Sequence, residues 1–116
     1  MLKIYGLKNC DTCRAAKKWL VGQDVEHEFL DVREISLDAK TILQWVNAVG
    51  MDILLNKRGT TWRKLDETEK DLSNQKLAIE LMAEHPALIK RPVFDNNGEI
   101  SVGFAKHEEA RSHLLK

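Results

Sequence analysis

Cys10 and Cys13 stand three apart near the start of the 116-residue chain, in "KNCDTCRAA", and are its only cysteines. A thiol attacks as its thiolate, and a free one of pKa about 8.5 is only a few per cent ionised at pH 7. The spacing suits a helix that begins just after Cys10, with Cys10 at its N-terminus and Cys13 one turn in on the same face. The unpaired amides and the positive end of the helix dipole then face the Cys10 sulfur and favour the thiolate. Lys8 and Arg14 add positive charge nearby, while Asp11 opposes them. Such surroundings lower a cysteine pKa to roughly 3.5–7.5. The chemistry is thiol–disulfide exchange: Cys10 attacks, and Cys13, more recessed, resolves the mixed disulfide.

Two other uses of the thiols compete. His107 and His113 have the spacing of zinc ligands, but Cys13 lies much farther from His107 than the about 12–15 residues of a zinc finger. Inert burial is the bland alternative, since free cysteine is a frequent core residue. A CxxC pair on a strand–helix–strand unit favours redox chemistry over both, with no metal. The four histidines, His27, His85, His107 and His113, pair with no cysteine motif and read as structural or solvated.

Arginines supply the remaining candidates. Arg91, in "KRPV", offers a planar donor fork for a carboxylate or oxyanion; a solvated surface arginine is the alternative. Pro92 opens a strand, where proline is tolerated, and the Pro92–Val93 backbone is expected to pair with a peptide-like ligand as an exposed strand edge does. Arg58, with Lys57 and Arg63, makes a positive patch in an otherwise neutral chain. Gly59 lets the backbone there approach a ligand, and a solvated loop is again the alternative.

These residues need elements to hold them. "LKIY" (Leu2–Tyr5) alternates and reads as a strand. Ala16, Trp19 and Leu20 recur at helical spacing from Thr12 to about Val21, with Gly22 as the stop. A strand around Phe29–Val32 completes a βαβ unit, so the two strands should be parallel. Ala39, Ile42, Leu43, Val46 and Val49 predict a helix with Ser36 as cap and Gly50 as stop. Leu54–Leu65 reads as an ordered loop leading to a short helix. Ser73 is expected to cap a helix through Leu77, Leu81 and Met82, ended at His85-Pro86. Two strands, Pro92–Asp95 and Glu99–Val102, flank the turn signal "NNG", and His107–Leu115 reads as a closing helix packed by Ala110, Leu114 and Leu115. Trp19, Trp45 and Trp62 pack or cover the core.

Composition sets the frame. Apolar residues are 43% and charged residues 31%, with Lys plus Arg and Asp plus Glu equal at 18 each. That is ordinary for one globular domain, spanning 1–116, and bulk charge does not indicate direct nucleic-acid binding. No apolar run approaches the ~20 residues of a membrane span, and no signal-peptide stretch is expected. The cysteines are therefore expected in a reducing cytoplasm. With no oligomerisation signal, a monomer is the default.

"IYGLKNCDTCRAA", "LLNKRGTTWRKL", "EHPALIKRPVF" and "VGF" occur in that order, and together they resemble the arsenate reductase (ArsC)/Spx family over essentially the whole chain. The similarity is greatest to its YffB-like subgroup of bacterial proteins. The resemblance implies a thioredoxin-like α/β fold, βαβ…ββα, with a helical insertion at about 36–86 and a cis Arg91–Pro92 bond. It makes Cys10 the nucleophile and Arg91 a catalytic arginine. Two oxyanion-holding arginines of the related reductases are replaced by Asn56 and Phe104, and a histidine that they carry before the motif is absent. The resemblance therefore implies a glutathione-dependent thiol–disulfide oxidoreductase with no bound cofactor. Glutathione is its reductant or co-substrate, and a glutathionylated or disulfide substrate is its partner. Contacts to glutathione fall to Arg14, Arg58, Arg91, Pro92 and Val93. The alternatives are an Spx-like redox-sensing regulator that binds the RNA polymerase α subunit, and an arsenate reductase.

Overall fold

In the computed structural model, which describes residues 1–71 and 73–115, the first strand keeps the two-residue period of its sequence. Strand β1 (Leu2–Gly6) buries Leu2, Ile4 and Gly6 and leaves Lys3 exposed. Helix α1 (Asp11–Gly22) buries Cys13, Ala16 and Leu20, one face at helical spacing. Gly22 is its last helical residue rather than its stop. The left-handed turn is taken by Asp24 (φ 56°), and the Val25 amide donates to the Leu20 carbonyl at 3.0 Å. A short polar side chain tolerates that conformation.

Strand β2 (His27–Asp31) runs parallel to β1, with Ile4 opposite Phe29 and Gly6 opposite Asp31. Strands β3 (Val93–Asn96) and β4 (Glu99–Val102) are antiparallel partners, and β3 also pairs antiparallel with β1. The sheet order is β2-β1-β3-β4. Asn97 and Gly98 both have positive φ, 53° and 97°, which makes the two-residue turn whose twist matches its strands. Leu2, Ile4, Ala16, Leu20, Phe94 and Leu114 form the core, with Trp19, Val25, Phe29 and Phe104 packed around it. The sheet and α1 are those of the thioredoxin-like expectation.

The closing segment differs from its sequence reading. Glu108–Leu115 is 3₁₀ rather than α-helical, and of the three expected packing residues only Leu114 is buried. Ala110 and Leu115 are exposed. Side-chain ties hold the segment instead of an apolar stripe: Arg111 Nε donates to the Ala105 carbonyl at 2.7 Å, and Asn96 Nδ2 to the His113 carbonyl at 3.0 Å.

The chain divides into two compact units, Met1–Ile35 with the segment from Arg91 onward, and Ser36–Lys90. In the second, α2 (Ala39–Val49) packs on α5 (Gln75–Glu84), with short α3 (Met51–Leu54) and α4 (Thr60–Arg63) between them in sequence. Ile42, Trp45 and Val46 of α2 are buried, as are Ile79 and Met82 of α5. The caps fall one or two residues later than Ser36 and Ser73. Asp38 accepts from the Thr41 amide at 2.8 Å and Asn74 from the Leu77 amide at 3.1 Å. The Ser73 hydroxyl instead donates to Asp71. Gly50 ends α2 with φ 92°, a conformation that favours glycine. Among the described residues no helix is long and apolar enough to cross a membrane.

Candidate active site

The loop from β1 to α1 is a tight turn. The Cys10 amide donates to the Leu7 carbonyl at 3.2 Å, and Cys10, extended at φ −97° and ψ 123°, is the N-cap of α1. Its carbonyl accepts from the Arg14 amide at 2.9 Å, which starts the helical ladder. The sulfur closes no cap bond of its own; it stands before the free amides of the first turn. Cys10 is half-buried, and Cys13, one turn on, is fully buried.

Cys13 lies against the end of β1. A Cβ built on Gly6 would meet the Cys13 sulfur at 2.5 Å, so the strand approaches the thiol as closely as it does because residue 6 has no side chain. Gly6→Ala is expected to push the Cys13 sulfur aside and to cost about 1–3 kcal/mol, the range for overpacking a close-packed site. Urea denaturation of the reduced protein reads that loss. An unchanged midpoint would mean that the strand and thiol separate freely.

The environment drives the two thiols apart. Burial pushes Cys10 up, but this is outweighed. The Cys13 amide and thiol, the Arg91 guanidinium and the Thr12 amide together favour its thiolate and hold it below the ordinary thiol range. Cys13 is pushed up to about 11, first by burial and then by the hydrogen bond and negative charge of Cys10. The Leu7 amide and the Arg91 charge offset only part of this. Half-buried Cys10 is therefore the more readily ionised of the two, with buried Cys13 held as a thiol behind it.

Of the arginines expected here, the structure brings Arg91 to Cys10. Arg91 precedes β3 and is joined to Pro92 by a cis bond, and its side chain bonds the Cys10 sulfur. Arg14 does not reach the thiol; it pairs with Asp11. Lys8 pairs with Glu34 at 2.6 Å. The positive group acting on the Cys10 sulfur is thus Arg91 rather than its sequence neighbours.

Pro92 and Val93 also depart from expectation. β3 is an interior strand, with Val93 opposite both Tyr5 and Val102, and the Pro92 carbonyl accepts from the Gly103 amide at 2.8 Å. Both residues are buried. The Val93 backbone offers no open edge to a ligand, because β1 and β4 already occupy both its sides, while Pro92 lies just before the ladder. Arg58 lies exposed in the Ser36–Lys90 unit, its amide donating to Asn56 Oδ1 and its carbonyl accepting from Arg63. Phe104 packs edge-on to Trp19, with ring centroids 5.9 Å apart, and beneath the Arg111 guanidinium at 3.9 Å.

Asp31 was not singled out from the sequence. It is the one charged residue buried among those described, 4% exposed. Its Oδ2 accepts from the Lys8 amide at 3.1 Å and its Oδ1 from the Arg33 amide at 2.8 Å. The available signal was an aspartate at the carboxyl end of a parallel strand, followed two residues on by an amide that its side chain can bond. His113 contacts the Ser101 hydroxyl at 3.2 Å.

The ArsC family model matches residues 5–111. A relative from Haemophilus influenzae, an uncharacterized protein, is 43% identical over 108 residues, covering 93% of this chain and 95% of its own. The global transcriptional regulator Spx of Listeria innocua is 27% identical over 113 residues, covering 96% of this chain and 86% of its own. A solved YFFB protein is 37% identical and superposes with a TM-score of 0.90, covering 100% of both chains.

Proposed function

Because the chain belongs to the ArsC family, we propose that it is a glutathione-dependent thiol–disulfide oxidoreductase working through Cys10 and Cys13. The observation that supports this reading is a half-buried Cys10 thiolate, favoured by Arg91 and the first turn of α1, with a protonated Cys13 directly behind it.

The Cys10 thiolate attacks the glutathione sulfur of a mixed disulfide. The old S–S bond breaks, the substrate leaves as a thiolate that takes a proton from water, and Cys10 carries glutathione. Cys10 has then lost its charge, which removes one of the influences that hold Cys13 up. Cys13 gives up its proton and attacks the Cys10 sulfur, the bond to glutathione breaks, and glutathione leaves as a thiolate that takes up a proton. Two further glutathione molecules reduce the Cys10–Cys13 disulfide, becoming oxidised glutathione. Arg91 steadies the sulfur charge at each attack and holds a glutathione carboxylate. On this reading the protein works in a reducing cytoplasm, as a monomer without a bound cofactor.

Turnover of a glutathionylated peptide, coupled to reduction of oxidised glutathione, tests the reading. Wild type is expected to turn over and Cys10→Ser to fall to background. Arg91→Lys keeps the charge but loses the planar fork. It should weaken glutathione binding by about 1.5–3 kcal/mol, the value of a hydrogen bond to a charged group, as read by calorimetry. No turnover by wild type would sink the proposal. The Spx relative favours one other reading, a redox-sensing regulator. Absence of turnover with capture of the RNA polymerase α subunit would select it.

A further inference from the structure

The proposed nucleophile sits on a turn that is fixed from outside, and the fixing group is one buried carboxylate. Asp31 ends β2 directly opposite Gly6, the residue from which the Leu7–Cys10 turn departs. One oxygen holds the Lys8 amide and the other the Arg33 amide. The Arg33 guanidinium stands 3.6 Å from Oδ1 and donates from Nη2 to Asn9 Oδ1 at 3.2 Å. Two consecutive residues before Cys10 are thereby tied to Asp31, Lys8 directly and Asn9 through Arg33.

We propose that Asp31 is a positioning residue for Cys10, its carboxylate fixing the turn that presents the sulfur to Arg91 and to the amides of α1. This rests on the reading of Cys10 as nucleophile. Every partner of Asp31 is a donor: two amides and a guanidinium. Only an acceptor on both oxygens satisfies them, and among side chains of this size only ionised aspartate is one. A charge with so little exposed surface is costly unless it is fully engaged. Burial pushes the Asp31 carboxyl up, yet the Arg33 and Lys8 amides and the Arg33 guanidinium outweigh it and hold it below its ordinary value. It is therefore ionised throughout the pH range in which the thiols work.

The turn serves both sulfurs. The Leu7 carbonyl closes it on the Cys10 amide, and the Leu7 amide donates to Cys13. Lys8, the residue that Asp31 grips, is the next link. A loosened Lys8 lets the Cys10 sulfur swing away from its donors without unfolding the sheet.

Asp31→Asn keeps the shape but turns one end of the side chain into a donor facing a donor. The rate of Cys10 alkylation is followed against pH, with folding stability measured in parallel. The midpoint is expected to rise, slowing alkylation below the wild-type midpoint roughly three- to tenfold, the scale of a 0.5–1 unit change in a thiol pKa. Asn9→Ala removes only the outer tie and should move the midpoint less, in the same direction. Asp38→Ala, which removes the cap of α2 in the other unit, should lower stability and leave the midpoint alone. If Asp31→Asn loses stability while its midpoint stays with wild type, Asp31 is merely structural and the assignment falls. If that variant does not fold, Asn9→Ala decides, and an unmoved midpoint overturns the proposal. A wild-type midpoint in the free-thiol range overturns the nucleophile reading itself, a result separable from the others.

Discussion

Iodoacetamide at pH 7 is expected to label Cys10 and to spare Cys13. With Cys13 pushed up to about 11, roughly one molecule in 10⁴ carries its thiolate at that pH, whereas even an ordinary thiol is a few per cent ionised. Cys10 lies below the ordinary range, so ionisation favours it by more than about a hundredfold. The lower basicity of its thiolate cuts that advantage roughly tenfold on a Brønsted slope of about 0.4–0.5. Burial of Cys13, 0% exposed, more than restores it. A net preference on the order of a hundredfold should appear as labelled Cys10 peptide after a short pulse.

The sign of the pH dependence is fixed by the direction of each shift. Reactivity at Cys10 persists as the pH drops through the usual thiol range and fades only below its depressed midpoint. Cys13 joins only in strong alkali. Faster labelling of Cys13, or two midpoints near about 8.5, would reverse the assignment of attacking and resolving thiol.

The placement of the two thiols was legible because its determinants are local. A CxxC at a strand-to-helix junction places one sulfur at the N-cap and the other on the buried face, by helix geometry alone. The Asn97-Gly98 turn and the apolar period of α2 are local in the same way. What sequence could not supply was pairing. Lys8 and Arg14 are adjacent to Cys10 in the chain, yet Glu34 and Asp11 claim them, and the guanidinium that reaches the sulfur comes from Arg91. The exposed edge expected at Pro92–Val93 depended on sheet order, and an interior β3 closes it at Val93. The caps slipped because two polar residues compete within two positions in both "ISLD" and "LSN", and only backbone geometry chooses between them. Asp31 carried only a weak local signal, the amide two residues on, because its other amide partner lies 23 residues back.

Arsenate, offered beside a glutathionylated peptide, is expected to give negligible turnover while the peptide is reduced. A thiolate attacking an oxyanion brings two negative charges together, so the site must hold the oxyanion with several convergent donors. Arg91 is one, and it is already engaged with the Cys10 sulfur. The resemblance to arsenate reductases sets Asn56 and Phe104 where those enzymes carry two more arginines. Asn56 Oδ1 accepts from the Arg58 amide at 3.1 Å, and an amide side chain has no charge to lend. Phe104 is committed to Trp19, Phe94 and Arg111, so that place is apolar. Loss of one oxyanion donor costs about 2.7–4 kcal/mol, or 10²–10³ in rate, and two such losses reach roughly 10⁴ or more. A disulfide carries no oxyanion. Its reduction needs an ionised attacking sulfur and an acidic leaving thiol, and the surroundings of Cys10 provide the first. Efficient arsenate turnover, abolished by Cys10→Ser, would overturn this and would assign the missing donor to Arg58.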